Sequence, residues 1–377
     1  MNSVVTPRRG TPAEPPTGGF TAAEHAGMEL ALELAGRGVR GANPLVGAVV
    51  LDPSGRVVAR GWHRGAGTAH AEAAALAALG DLGPLSAERA AGLTLLCTLE
   101  PCSHTGRTGP CAEAVARTGI GRVVYATADG TDRAGGGGQI MRRAGIDVGA
   151  GLLADRAREL NHRWFAARAA DRPFTTLHLA QSLDGRIAAA DGTSQWITGP
   201  AARRHSHGVR ERAEAIIAGT GTIHADNPRL TARTTDGAEH PRQPLRVVMG
   251  RRDLPPGAAV AADDHYLHLR EHDPQAVLAR LAARGIDHAM IEGGASIATA
   301  FLAAGLVDEL WLYQAPLLLG AGRHAVGDLG IGTLSAAGRW RYDDAGGPAH
   351  QLLGPDAVLH LEPHPGSAVI PENERTR

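Results

Sequence analysis

The stretch TLEPCSHTGRTGPC, residues 98–111, contains two of the three cysteines of this 377-residue chain. The apolar run before it, GLTLLC, predicts a buried strand, and the Gly- and Pro-containing continuation predicts a loop that leads into a helix. Cys102 and Cys111 enclose that loop. Two cysteines in such a loop can form a disulfide, bind a metal or supply a reactive thiol. The residues upstream help to distinguish these three roles.

Upstream, TAHAEAAAL (residues 68–76) predicts a helix that carries His70 and Glu72. One imidazole and two thiolates give zinc three protein ligands and leave a fourth position for water, as in catalytic zinc sites. Zinc lowers the pKa of that water, and a nearby carboxylate such as Glu72 can carry protons. A His-x-Glu sequence followed by Pro-Cys and a second cysteine is typical of zinc deaminases. The Cys-x8-Cys spacing is longer than the usual Cys-x-x-Cys, so a disulfide and inert buried thiols stay open as alternatives.

Apolar strands and helices alternate on both sides of this stretch, which predicts layered α/β sheets. An N-terminal helix is predicted to begin after Thr21, with Glu24 completing a capping box, and a hairpin to form around Asp52–Gly55. A second α/β pattern begins near Arg172. We therefore expect domains at 21–168 and 173–363, between disordered tails at 1–20 and 364–377.

Composition argues against several functional classes. The formal net charge is −1 and aromatic residues make up 3%, which disfavours a nucleic-acid-binding surface. All 38 basic residues are arginines, so no lysine can form a Schiff base. We find no apolar run long enough for a membrane span and no apolar signal-peptide core. Three cysteines fit a reducing compartment, so we expect a cytoplasmic protein.

NPLVGAVV (43–50), HAEAAAL (70–76) and the opening stretch together resemble the bifunctional deaminase/reductase family of riboflavin biosynthesis. The resemblance implies an N-terminal cytidine-deaminase-like α/β/α domain and a C-terminal dihydrofolate-reductase-like α/β domain. The first would deaminate 2,5-diamino-6-(5-phosphoribosylamino)pyrimidin-4-one, and the second would reduce the ribosyl group to ribityl with NADPH. The Cys-x8-Cys loop belongs to the family pattern. The implied deaminase residues are the ligands of one zinc ion, His70, Cys102 and Cys111, the proton shuttle Glu72, and the substrate contacts Asn43, His63, His104 and Arg107.

The resemblance continues through SLDGRIAAADGTSQWITG (182–199), GTGTIHADNPRLTAR (219–233) and IEGGASIATAFLAAGLVDEL (291–310). In MIEGGAS a strand ends, two glycines allow close approach to a ligand, and the N-terminus of the next helix suits a phosphate. The implied substrate contacts are Ser194, Arg210, Leu230, Arg233 and Glu292, with both arginines as phosphate forks. The implied NADPH contacts are Ala180, Trp196, Thr222, Asp226, Gly294, Ala295, Ser296, Ile297, Ala298, Thr299 and Ala300.

Three positions depart from the family pattern. His178 replaces a common lysine and carries charge only when protonated, so we expect reductase activity to fall as the pH rises from about 6 to 8. Gly250 replaces an aspartate, and Asp129–Asp132 replaces an Asp-Pro-Asn-Pro loop. These departures leave an alternative function, a deaminase of a related secondary-metabolite pyrimidine pathway with an impaired reductase.

The sequence also bears on the binding partners. An editing deaminase that acts on nucleic acid is disfavoured by the near-zero charge, and a non-catalytic scaffold is disfavoured by the intact His/Glu/Cys/Cys set. We expect a phosphorylated pyrimidine as the substrate, with no nucleic-acid or membrane partner. The apolar run LWLYQAPLLLG (310–320) favours a homodimer or higher homo-oligomer formed through the reductase domain.

Overall fold

A computed structural model describes residues 19–81, 83, 85–104, 109–130 and 135–365. The chain forms two compact units. The first comprises the described residues up to Gly36 together with Val46–His63 and Gly67–Leu160, and the second comprises Arg37–Leu45, Arg64–Ala66 and the residues from Asn161 onward. Most of the two predicted tails lies outside the described residues.

The described residues of the first unit form a five-stranded sheet with helices around it. Its helices are α1 (Ala22–Ala35), α2 (Ala71–Gly80), α3 (Ala87–Ala91), α4 (Cys111–Thr118), α5 (Gly137–Arg143) and α6 (Ala154–Leu160). Its strands are β1 (Gly47–Leu51), β2 (Val57–Trp62), β3 (Thr94–Leu99), β4 (Arg122–Thr127) and β5 (Asp147–Ala150). The strand order is β2-β1-β3-β4-β5, with β1 antiparallel to both neighbours and β3, β4 and β5 parallel.

Close helix–sheet packing positions α2 in the first unit. The capping box predicted at Thr21 and Glu24 is present at the start of α1. Gly61 of β2 faces the backbone of α2, and a Cβ built on it would lie 2.4 Å from the amide nitrogen of Ala75. Only glycine therefore lets the helix pack this closely on the strand.

The second unit contains a larger, mostly parallel sheet. Its helices are α7 (His162–Ala169), α8 (Pro200–Arg212), α9 (Thr220–Asp226), α10 (Pro274–Ala282) and α11 (Ala295–Ala303). Its strands are β6 (Phe174–Ser182), β7 (Arg186–Ala188), β8 (Ala215–Gly219), β9 (Leu245–Met249), β10 (Tyr266–Leu269), β11 (His288–Ile291), β12 (Glu309–Ala315), β13 (Arg323–His324), β14 (Trp340–Tyr342), β15 (His350–Leu353) and β16 (Asp356–Pro363). The order is β10-β9-β8-β11-β6-β12-β16-β14, and β15 also pairs with β16.

The parallel strands of this sheet direct their carboxyl ends to one edge. Pairing is parallel from β10 to β12, and β16 is antiparallel to β12. Side chains on alternating positions fill cores on both faces, with Ile217 in one cluster and Ile216 in the other. Ligands of open α/β sheets bind outside the carboxyl ends of the strands, where the strand order reverses. The ends of β6, β8 and β11 are therefore the expected site.

The boundary between the units lies at residues 160 and 161, whereas the sequence pattern suggested a join near residues 168–173. Hydrogen bonds explain the difference. Asn161 exchanges two hydrogen bonds of 2.8 Å with the backbone of Leu45, and Trp164 Nε1 donates to the carbonyl of Ala42 at 3.1 Å. Helix α7 and the segment Arg37–Leu45 are thereby held together in the second unit.

Some elements were not predicted from the sequence. The strands β14 and β15 are edge strands of only three and four residues, and β10 includes His268 among apolar residues. Cys102 lies in the loop after β3, whereas Cys111 begins α4, as the predicted strand, loop and helix require. In the part of the chain that the structure describes, no helix has both the length and the hydropathy needed to cross a membrane.

Candidate active sites

Three predicted ligands meet in the first unit. His70 is the residue before α2, Cys111 is the first residue of α4, and Cys102 follows β3. His70 Nδ1 lies 3.7 Å from Cys102 Sγ and 3.3 Å from Cys111 Sγ, and all three ligand atoms lie within 4.8 Å of one another. The ligands thus come from the residue before α2, the loop after β3 and the first residue of α4.

The donor set fits zinc. Bonds of about 2.0–2.3 Å to a tetrahedral ion require donor atoms roughly 3.5–3.8 Å apart, which is close to the distances found here. The cysteines are free rather than disulfide-bonded. A hydrogen bond from the Cys111 thiol lowers the pKa of Cys102 to about 4, and the Cys111 amide also donates to Cys102 Sγ at 3.4 Å. Thiolate is the form that binds metal.

Glu72 is the second residue of α2 and lies beside this cluster. It is buried, and its carboxyl interacts with His70, Cys102 and Cys111. Burial raises the pKa of Glu72 to about 7. The side chain therefore has the position and the proton affinity of a group that takes up and releases protons near neutrality.

The predicted deaminase contacts have different locations. His63 is buried, its Nδ1 donates to the carbonyl of Ala69 at 3.0 Å, and its ring lies edge-on to His70 with centroids 5.7 Å apart. His104 follows Cys102 closely and has a buried Nδ1 without a hydrogen-bond partner among the described atoms. Asn43 belongs to the second unit, and Arg107 lies outside the described residues.

A pocket of about 660 Å³ opens at the carboxyl ends of β6, β8 and β11 in the second unit. Ten predicted reductase residues line it, namely Ala180, Ser194, Trp196, Arg210, Thr222, Asp226, Leu230, Arg233, Glu292 and Gly294. Ala295–Ala300, which form the first turns of α11, are not among the residues that line it. The pocket is held in shape by hydrogen bonds from Ser194 to Asp226 at 2.7 Å and from the Gly294 amide to Thr222 at 3.1 Å.

Arg210 is already paired inside the pocket. Its Nη2 lies 2.7 and 2.6 Å from the two carboxylate oxygens of Glu292, and its Nη1 donates to the carbonyl of Thr231 at 2.7 Å. Burial alone would raise the pKa of Glu292, but the charge of Arg210 outweighs it and the pKa lies below 4.5. The predicted phosphate fork at Arg210 is therefore neutralised by a carboxylate, whereas Arg233 lines the same pocket.

His178 lies at the end of β6 in this pocket. Its Nδ1 is 3.8 Å from Glu292 Oε1, and its ring is tilted against Tyr313 with centroids 4.7 Å apart. Burial lowers the pKa of His178 below 6.5, although Glu292 opposes the shift. The histidine is therefore largely uncharged at neutral pH.

Sequence reasoning missed several pocket residues, among them Arg203, Ser206 and His207 of α8. Their spacing with Arg210 follows the helical repeat, so that they share one face of the helix. That periodicity could have predicted that the four residues lie together on one side of the helix. It was hidden by the polar, arginine- and histidine-rich composition of the segment PAARRHSHGVRER.

Comparisons with known proteins agree with this geometry. The cytidine and deoxycytidylate deaminase zinc-binding region matches residues 22–127, and the RibD C-terminal domain matches residues 173–345. The riboflavin biosynthesis protein RibD of Mycobacterium tuberculosis H37Rv is 43% identical over 320 residues, covering 84% of this chain and 90% of that protein. RibD of Escherichia coli K12 is 36% identical over 371 residues, covering 89% of this chain and 98% of that protein. The chain belongs to the RibD family.

Solved structures agree with this assignment. RibD of Acinetobacter baumannii superposes with a TM-score of 0.69 at 34% identity and covers 91% of this chain and 99% of its own. A second solved structure is a diaminohydroxyphosphoribosylaminopyrimidine deaminase/5-amino-6-(5-phosphoribosylamino)uracil reductase of Thermotoga maritima. It superposes with a TM-score of 0.67 at 29% identity and covers 91% of this chain and 99% of its own.

As a RibD family member, the chain is a bifunctional enzyme of riboflavin biosynthesis that combines a zinc-dependent deaminase with an NADPH-dependent reductase. The expected cytidine-deaminase-like and reductase domains are confirmed. The alternative, a secondary-metabolite deaminase with an impaired reductase, has no support among these relatives.

Proposed function

We propose that this member of the RibD family deaminates 2,5-diamino-6-(5-phosphoribosylamino)pyrimidin-4-one in its first unit and reduces the ribosyl group of the product in its second. The observation that carries the proposal is the cluster of His70, Cys102 and Cys111 with the buried carboxyl of Glu72 beside it. The pocket of the second unit, with ten of the implied contacts around one cavity, supports the reductase half.

In the deaminase, His70, Cys102 and Cys111 would hold one zinc ion. Zinc bound there would act as a Lewis acid and would make a water molecule more acidic. Glu72 takes a proton from the attacking water at a carboxylate oxygen and delivers it to the departing amine, so that ammonia leaves. His63, His104, Asn43 and Arg107 are proposed to hold the pyrimidine and its phosphate.

In the reductase, NADPH bound in the pocket would supply a hydride for C1′ of the imine that forms when the ribosylamine opens, and the imine nitrogen would take up a proton from water. The residues around the pocket orient the two molecules and exclude water. Trp196, Thr222, Asp226 and Gly294 are proposed to hold the cofactor, together with Ala180 and the α11 residues Ala295–Ala300. Ser194, Leu230, Arg233 and the Arg210–Glu292 pair are proposed to hold the substrate, with Arg233 as the main phosphate fork.

Product analysis tests the proposal. The purified protein is incubated with the diaminopyrimidine ribosyl phosphate with and without NADPH, and its zinc content is measured. We expect about one zinc per chain, ammonia release in both reactions, and the ribityl product only with NADPH. A Cys102→Ser variant should lose zinc and deamination. A protein that contains no zinc and deaminates after chelation would contradict the site.

We further propose that the protein self-associates through the second unit and works in the cytoplasm. Tyr342 and Leu352, on edge strands β14 and β15, are exposed to 61% and 75% and support an apolar interface. Reduced Cys102 and Cys111 are needed for zinc and favour a reducing compartment. Sedimentation of the parent and a Leu352→Glu variant would test the interface, and a monomeric parent would contradict it.

A further inference from the structure

Helix α8 runs along the wall of the reductase pocket with one face toward it. Arg203, Ser206, His207 and Arg210 line the cavity from this helix. Residues three and four positions apart lie on the same side of a helix. At about 1.5 Å per residue, His207 lies about 6 Å along the axis from Arg203 and about 4.5 Å from Arg210.

The two pocket-lining arginines on either side of His207 along the helix contact different proposed ligand residues. The guanidinium of Arg203 lies 4.5 Å from the ring centroid of Trp196, which is proposed to hold the cofactor. Arg210 binds Glu292, and this pair is proposed to hold the substrate. His207 therefore lies on the helix between a residue that contacts a proposed cofactor residue and a residue of the proposed substrate site.

Among the described atoms, no hydrogen bond of the His207 ring accounts for its position in the pocket. Its Nδ1 is buried and has no partner among the described atoms. By contrast, His205 on the same helix shares a hydrogen bond of 2.8 Å with the hydroxyl of Tyr313. A buried ring nitrogen without a partner costs free energy unless a ligand or a shift of the ring supplies one.

The charge state of His207 favours a neutral partner. Burial and the charges of Arg210 and Arg233 lower its pKa to about 4, with Glu292 opposing. A neutral imidazole offers one donor and one acceptor nitrogen, which suits a hydroxyl. Arg233, which lines the same pocket, already provides positive charge for a phosphate.

We infer that His207 hydrogen-bonds a hydroxyl of the substrate's sugar chain and orients C1′ toward the cofactor. This inference rests on the proposed reductase function. His207 would then be a specificity-determining residue, whereas the phosphate depends on Arg233.

The test compares the parent enzyme with His207→Ala, His207→Gln and, as a control, Arg204→Ala at an exposed position of the same helix. Reductase kcat and KM are measured with the deaminated substrate and with its dephosphorylated form. The dissociation constant of NADPH and the deaminase rate report on folding. We expect His207→Ala to lower kcat/KM for the sugar substrate about tenfold, as for one lost hydrogen bond, and His207→Gln to recover part of it. NADPH binding and Arg204→Ala should stay within about twofold of the parent.

Three outcomes would overturn the inference. One is an unchanged kcat/KM in His207→Ala. Another is an equal loss of NADPH affinity, which would indicate a structural role. The third is a defect that disappears with the dephosphorylated substrate, because His207 would then contact the phosphate. A parent enzyme that does not reduce the substrate at all would contradict the proposed function instead, independently of His207.

Discussion

Glu72 is buried at the first turn of α2, where its carboxyl reaches the three proposed zinc ligands. Glu72→Gln keeps the shape of the side chain but cannot carry a proton. We expect it to bind about one zinc per chain and to lose about 10²- to 10⁴-fold in deaminase kcat, the usual contribution of a general acid–base group. Metal analysis and ammonia release measure the two effects.

The same variant separates the two activities. The proposed reductase site lies wholly in the second unit, which has its own hydrophobic core. Glu72→Gln should therefore reduce pre-deaminated substrate at the parental rate. A deaminase loss below about tenfold would remove Glu72 from proton transfer.

His178 predicts a pH dependence that differs from the one expected from its reference pKa. Burial lowers its pKa below 6.5, with Glu292 raising it and Arg210 lowering it further. His205, His207 and Tyr313 also face it. The protonated form is populated only below this lowered pKa, so reductase kcat/KM should be flat between about pH 7 and 8.

The measurement compares pH profiles of the parent, His178→Gln and His178→Lys. We expect the parent and the glutamine variant to diverge only below about pH 6.5, where the histidine becomes charged. A parental rate that falls between about pH 7 and 8 while the glutamine variant stays flat would show that the bound substrate restores the charge.

At the scale of elements, the contact between β2 and α2 sets the position of His70 and Glu72. A Cβ on Gly61 would lie 2.5 Å from the carbonyl oxygen of Ala71 and even closer to the amide of Ala75. Gly61→Ala must push the helix away from the strand, at a cost of about 1–3 kcal/mol for overpacking. We expect lower zinc affinity and lower deaminase activity, measured by competition with a chelator and by ammonia release.

Gly80, the last residue of the same helix, provides the matched control. Nothing lies within 4 Å of a Cβ built there. Gly80→Ala should leave zinc affinity unchanged and cost no stability, because alanine is the better helix former. Equal zinc affinities in the two variants would mean that the spacing of β2 and α2 does not control the cluster.

The zinc cluster could be predicted from the sequence because its ligands stand at the ends of local, strongly patterned elements. His70 precedes an Ala-rich helix, Cys102 follows an apolar strand, and Cys111 begins a helix. The pairing of Arg210 with Glu292, 82 positions apart, could not be predicted, because only the topology of the sheet brings them together. The same is true of the Arg37–Leu45 segment, which joins α7 through side-chain hydrogen bonds that leave no periodic signal.

At the scale of the whole molecule, a buried ion cluster stabilises the second unit. Asp308 is fully buried and accepts hydrogen bonds of 2.6 and 2.8 Å from Arg172, with Arg163 at 2.8 Å and the Thr175 amide at 2.9 Å. Burial alone would raise the pKa of Asp308, but the hydrogen bonds and charge of Arg172, with the charge of Arg163, outweigh it and hold the pKa below 3.8. Asp308→Asn removes this charge and leaves two arginines uncompensated.

The sign of the pH dependence follows from that lowered pKa. A carboxyl whose pKa is lower in the folded than in the unfolded state stabilises the fold fully above the unfolded value of about 3.9, and this contribution is lost as the pH falls toward the folded value. Asp308→Asn should therefore cost about 3–5 kcal/mol at neutral pH, the usual penalty for breaking a buried pair. Its free energy of unfolding should then fall less steeply than the parent's below about pH 4.

Asp287 provides the comparison for this last experiment, because it pairs with Arg168 at 2.6 Å but is 33% exposed. Asp287→Asn should cost no more than about 1 kcal/mol, since solvent screens partly exposed pairs. Urea unfolding at several pH values, followed through reductase activity, measures both variants against the parent. Zinc content should stay at about one per chain in Asp308→Asn, because the ligands belong to the other unit. If the Asp308 and Asp287 variants lost the same stability, or if the Asp308 variant kept the parent's full slope in acid, the buried cluster would not be the source of the second unit's acid sensitivity.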